Sequence, residues 1–238
     1  MSLIEHLSEL RTRLIWGGIG VVLGCVVSFL FVDDIWQFLV APMASALEET
    51  QRGSMAITEP LEGFMTQLKV AGVSGMALAA PIIFYQGWKF VAPGLYSKEQ
   101  RVVLPLVFSS SVLFLVGMLF GYTVIFRYAF PFFLEVTPEG VEAVLSINSY
   151  LIVATKLLFA FGMCFQLPIV VYTLARTGLI DHRDMIDMFR YAVVAIFVVA
   201  ALITPPDILS QALMAGPLIF LYGVGILIAR CVSTKTRD

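Results

Sequence analysis

The sequence predicts an all-α integral membrane protein with six transmembrane helices, both termini cytoplasmic, and spans 5 and 6 short. Three observations predict this. Of the 238 residues, 59% are hydrophobic and 13% charged. A soluble domain is nearer a quarter charged, so polar side chains are too few to cover a water-facing surface. Six apolar runs alternate with polar segments. Eleven Lys and Arg fall in the amino terminus, residues 89–101, residues 176–190 and the tail, against four (Arg52, Lys69, Arg127, Lys156) elsewhere. The rule that basic loops stay inside places the eleven in the cytoplasm. A net charge of −2 gives no reason to expect nucleic-acid binding.

Each element has its own signal. In residues 2–14, Leu3, Leu7, Leu10 and Leu14 recur at helical spacing, and Ser2 with Glu5 fits a capping box. An amphipathic helix along the membrane surface is expected there. Residues 1–14 carry two acids and two arginines and lack an apolar core, so the first apolar run is expected to be a retained span. Span 1 is residues 15–32, which hold no charge. At ~1.5 Å per residue it covers about 27 Å, close to the ~30 Å hydrocarbon core. Residues 33–69 carry six acids and two bases. Within them, a short interfacial helix is expected to end near Pro42. Thr58 is placed as the N-cap, and Pro60 in the first turn, of a helix that projects from the membrane and continues into span 2, about 70–88.

Residues 86–101 (QGWKFVAPGLYSKEQR) read as a cytoplasmic loop, with Pro93-Gly94 as a helix stop. Span 3 is about 103–125, and an acidic external segment follows. Span 4, about 150–175, carries Lys156 near its start and Gln166 near mid-depth. Gly178 marks a helix stop. Span 5, about 191–204, reaches only about 21 Å. TPPD (204–207) is a turn whose Asp207 can cap span 6, about 208–229, which Gly216-Pro217 interrupts. The whole chain, 1–238, reads as a single membrane domain without internal repeats, which weighs against an inverted-repeat transporter.

No HExxH, GxSxG, phosphate-binding loop or paired intramembrane aspartate is present, so catalysis and a bound cofactor or metal are not expected. Cys25, Cys164 and Cys231 form no CxxC pair and read as small buried residues. Lys156 reads as a snorkelling side chain. Gln166 must find a partner or a wet cavity, through helix–helix hydrogen bonding or by lining a polar recess. A six-span solute or ion transporter with a polar site near Lys156 and Gln166 is the competing function. On spacing alone, Glu9 and Glu99 are solvated acids, Glu9 pairing with Arg13 at i+4 and Glu99 with Lys98 or Arg101.

Five segments change that reading: EHLSELRTRL (5–14), APM (41–43), PIIFYQGWKFVAPGLYSKEQR (81–101), FGMCFQLP (161–168) and TPPDILSQ (204–211). In this order, between six spans, they resemble TatC, the multi-span receptor subunit of the twin-arginine protein translocase. The resemblance covers nearly the whole chain. It implies a curved, glove-like wall of six helices in a bacterial cytoplasmic (inner) membrane. It also implies recognition of twin-arginine signal peptides on folded cargo and export driven by the proton gradient. Partners would be single-span TatA/TatB-type subunits docking by intramembrane helix packing, together with self-association in a larger complex within the lipid bilayer. Candidate docking surfaces are span 5 and the polar strip near Thr155 and Gln166.

Carried over residue by residue, Glu9 and Glu99 match the family's signal-peptide acids, and carboxylates suit guanidinium forks. Arg11 matches the arginine that orients them, and Lys89 and Arg101 match basic positions. Phe90, Pro93, Leu95 and Tyr96 shape the loop. Pro42 and Asp207 match turn positions of the family. Gln166 stands where many members have glutamate, and it cannot titrate.

Overall fold

The computed structural model describes residues 3–51, 53–95, 103–136, 144–203 and 208–235. In chain order the described helices are α1 (Leu3–Phe29), α2 (Val32–Thr50), α3 (Glu62–Leu95), α4 (Val103–Phe120), α5 (Phe126–Glu135), α6 (Ile147–Cys164), α7 (Leu167–Arg176), α8 (His182–Asp187), α9 (Phe189–Ile203) and α10 (Ile208–Lys235). One π-helical turn, Gly121–Ile125, joins α4 to α5. Two short strands, β1 (Ser54–Ala56) and β2 (Val144–Ser146), pair in parallel. Among the described residues, five stretches are long and apolar enough to cross a membrane: Glu5–Phe29, Glu62–Val91, Val103–Glu135, Ile147–Arg176 and Gln211–Val232. α9 is a shorter apolar helix. Leu14, Trp16, Val22, Leu23 and Val26 of α1 are among the many large apolar side chains facing outward. That distribution suits a lipid surround and would be a liability in water.

Several boundaries differ from the sequence expectation. α1 runs unbroken from Leu3 into the first span. No Gly or Pro lies between Leu3 and Trp16, so nothing separates an amphipathic segment from the apolar one. α2 passes through Pro42 and ends at Gln51, whose φ of 52° closes the helix. Leu39, Met43 and Ala46 are buried along one face packed on α5, and this holds the helix together across the missing donor. Thr58 is not an N-cap, because α3 begins at Glu62. At its other end α3 continues to Leu95, so Trp88–Leu95 are helix and not loop. The Trp88 indole donates to Ser110 Oγ at 2.8 Å and Phe90 stacks on His6 at 4.3 Å, anchoring these last turns.

Span 4 is two helices. The Pro168 ring cannot accept the Cys164 carbonyl beneath it, and the chain bends at Phe165–Gln166 before α7 starts. α10, by contrast, passes through Gly216-Pro217 intact and is 28 residues long, so the last span is not short. Met214, Ala215, Leu218 and Leu221 are buried on both sides of that proline. α9, with 15 residues, is short as expected. Gly178 does stop a helix. Its φ is 74°, and the bonds Gly178 N–H to Ala175 O and Leu179 N–H to Leu174 O complete a Schellman motif. None of the three cysteines is in a disulfide.

The chain forms two compact units. One comprises Met1–Ser111 with Phe126–Thr155. In it α3 packs along α1, and Phe126, Phe130 and Tyr150 form an aromatic ladder with centroids 4.8 and 5.1 Å apart. The other comprises Val112–Ile125 with Lys156–Asp238. There α10 packs on α7 around Val171, Ala175, Met185 and Ala229, and the Tyr222 hydroxyl donates to the Met185 carbonyl at 3.0 Å. Gly117 admits the Phe161 carbonyl, 2.5 Å from where a Cβ would lie, so α4 and α6 meet closely.

Candidate functional site

The site begins with two glycines. A Cβ on Gly24 would lie 2.3 Å from the Gly75 carbonyl oxygen, and one on Gly75 would lie 2.5 Å from the Cys25 nitrogen. Backbones approach this closely only without side chains, so the antiparallel α1 and α3 are pinned in register here. About three turns away in each helix, that register sets Arg13 against Gln86. Arg13 Nη1 donates to Gln86 Oε1 at 3.2 Å, and Arg13 Nη2 donates to Glu9 Oε1 at 2.9 Å. The Arg13 and Glu9 side chains are 20% and 22% exposed, so the pair is mostly withdrawn from solvent.

Around this pair, Ser8, Glu9, Thr12, Arg13 and Trp16 of α1 face Tyr85, Gln86 and Lys89 of α3 across a recess of about 430 Å³. Lys89 Nζ stands 5.4 Å from the Tyr85 ring centroid and 3.5 Å from its hydroxyl. The recess holds one carboxylate and two cations. Its chemistry is recognition of a polar ligand by hydrogen bonds and charge.

Glu9 lies on α1, and Lys89 and Phe90, expected in a loop, lie on the last turns of α3, with Glu9 and Lys89 lining the same recess. Arg11 is exposed, and Glu9 is oriented by Arg13 instead. Pro93 and Leu95 belong to the last turn of α3. Tyr96, Glu99, Arg101 and Asp207 lie outside the described residues. Pro42 sits mid-helix in α2. Gln166 is 8% exposed at the α6–α7 bend, its carbonyl accepting from the Ile169 and Val170 N–H groups at 3.0 Å. Lys156 is exposed, ten residues away and about 15 Å along the helix, so the two do not form one polar site. His6 and Gln86 stand inside the segments that carry the family resemblance, but neither was singled out as a site residue.

A second polar cluster was also missed. Glu62, 4% exposed, is the first residue of α3 and of the apolar Glu62–Val91 stretch. Its Oε1 accepts from Ser146 Oγ at 2.6 Å and Asn148 N–H at 2.7 Å. Its Oε2 accepts from the Thr58 N–H, the Thr58 hydroxyl at 3.0 Å and the Glu59 N–H at 3.1 Å. The Ser146 hydroxyl and the Asn148, Thr58 and Glu59 donors thus satisfy both carboxylate oxygens. Lys69 donates to the Asn148 side chain. The arrangement ties the two segments flanking β1 and β2 together.

Residues 5–217 match the family model of the Sec-independent protein translocase protein TatC. The chain belongs to the TatC family. A TatC from Desulforapulum autotrophicum is 43% identical over 231 residues, covering 97% of this chain and 85% of that protein. TatC from Carboxydothermus hydrogenoformans is 36% identical, covering 99% and 95%. A crystal structure of the twin-arginine translocase receptor TatC superposes with a TM-score of 0.83 at 34% identity, covering 96% of this chain and 99% of that one. A TatC structure in DDM gives 0.84 at the same identity. The TatC fold is all-α and membrane-embedded, and the TatC role is in protein transport, as a component of a translocase.

Proposed function

We propose that this chain is the signal-peptide receptor of a twin-arginine translocase, and that it nucleates the complex exporting folded proteins. The observation that carries the reading is the recess between α1 and α3, where Arg13 bridges the Glu9 carboxylate and Gln86, with Lys89 also lining the recess. A carboxylate has lone pairs for more than one donor, so Glu9 can receive a guanidinium fork from an arriving arginine. Glu99, fourteen residues after Tyr85, is the proposed second acid. Arg101, Tyr96, Pro93 and Leu95 are proposed to shape its approach, and Asp207 to cap the last span.

Parity supports a six-span chain with both termini inside. The Arg13–Gln86 bond needs an even number of crossings between those residues, and α1 with α3 supplies two. The Glu62–Asn148 bond needs the same, and α3 with the α4–α5 stretch supplies two. The basic-residue asymmetry supports a cytoplasmic side for the recess, and the family resemblance a bacterial inner membrane. Partners are single-span TatA/TatB-type subunits, with energy from the proton gradient. The non-titrating Gln166 is not the proton acceptor in this scheme.

The test is a photo-crosslinker at position 89 or 99, challenged with a labelled twin-arginine peptide. Crosslinking is expected, with Glu9→Gln weakening peptide affinity roughly tenfold or more, the scale of a charge-assisted hydrogen bond. Peptide binding untouched by Glu9→Gln with Glu99→Gln would overturn the receptor role of these acids.

A further inference from the structure

We propose that Arg13 is a specificity-determining residue, an internal arginine that already occupies Glu9 and sets the standard an incoming ligand must match. The inference rests on the receptor reading above. Arg13 spans two acceptors, Glu9 Oε1 at 2.9 Å on its own helix and Gln86 Oε1 at 3.2 Å on α3. Its Nε is buried without a hydrogen-bond partner among the described residues. The tie is therefore good enough to hold Glu9 and imperfect enough to be shared or displaced. Gln86 gives the displaced guanidinium a place to remain, because it is a neutral acceptor that does not draw in a second cation.

The chemistry of the two possible ligands differs. An arriving guanidinium offers the same planar fork as Arg13 and can share or take over the carboxylate. Both ligands meet the positive charges of Arg13 and Lys89, but an arriving ammonium is a strongly hydrated point charge without the planar fork, so it gains less from the carboxylate to offset that repulsion. The resident arginine thus penalises a lysine-bearing ligand more than an arginine-bearing one. This is discrimination through an unfavourable state built against the wrong partner.

The experiment titrates the full chain in detergent with two synthetic signal peptides, one twin-arginine and one twin-lysine, and reads the ratio of their Kd values. Arg13→Gln should lower that ratio about three- to tenfold, chiefly by tightening the twin-lysine peptide, as expected for removal of a charge-assisted competitor. A role confined to holding the helices together predicts equal weakening of both peptides. That result, or an unchanged or increased ratio, overturns the proposal. If Arg13→Gln abolishes the thermal transition, Arg13→Lys decides. It keeps the charge but loses the fork, so the ratio should still fall, by less, and an unchanged ratio overturns the proposal. Glu9→Gln is run alongside. If it leaves twin-arginine binding intact, the receptor reading itself fails. If it weakens binding while Arg13→Gln leaves the ratio unchanged, only the role of Arg13 fails.

Discussion

At the residue scale, Glu62 is the acid most dependent on its surroundings. Five donors converge on it. Glu62→Gln turns one acceptor oxygen into an N–H donor facing other donors, so it should lower the melting temperature in detergent at neutral pH. Trp88 is a smaller case. Trp88→Phe removes the bond to the buried Ser110 hydroxyl, and a loss of about 1 kcal/mol in unfolding free energy is expected.

At the element scale, the α1–α3 register is the determinant of the recess. Gly75→Val places methyl groups where the Cys25 backbone stands, and overpacking of this kind costs roughly 1–3 kcal/mol or separates the helices. In a background lacking the native cysteines, short thiol crosslinking between positions 6 and 90 should occur in the parent and be lost in Gly75→Val. This element also shows what the sequence could reveal. Uniform apolar runs made the membrane helices legible, and the EHLSELRTRL segment made Glu9 legible. The pairing of Arg13 with Gln86 depends on a glycine contact about three turns away, so no local pattern announces it. Glu62 finds Ser146 and Asn148 across 84 and 86 residues, which spacing rules do not reach. Prolines misled in the opposite sense. Pro42 and Pro217 read as breaks and are absorbed by buried faces on either side, whereas Pro168, following a mid-span glutamine, does end a helix.

At the scale of the whole molecule, the short α9 stands out against helices of 27, 34 and 28 residues. Fifteen residues rise about 22 Å, several ångströms under a ~30 Å core, and the lipid beside α9 must thin to meet it. If that thinning eases cargo passage, inserting four apolar residues into α9 should reduce export of a twin-arginine reporter in cells, while peptide binding to the purified protein stays at the parent level. Undiminished export would separate α9 length from translocation.

The clasp between β1 and β2 has a consequence for biogenesis. Its strands lie 90 residues apart in sequence and run parallel, Ser54 beside Val144. Everything between them must leave the ribosome, insert, and return to the starting face before the first of these bonds can form. A chain in which α3 or the α4–α5 stretch failed to insert would present the two strands to opposite compartments, with Glu62 left without Ser146 and Asn148. Closure of the clasp therefore requires both segments to arrive on one face, and a chain that kept them apart would hold Glu62 without the Ser146 and Asn148 donors.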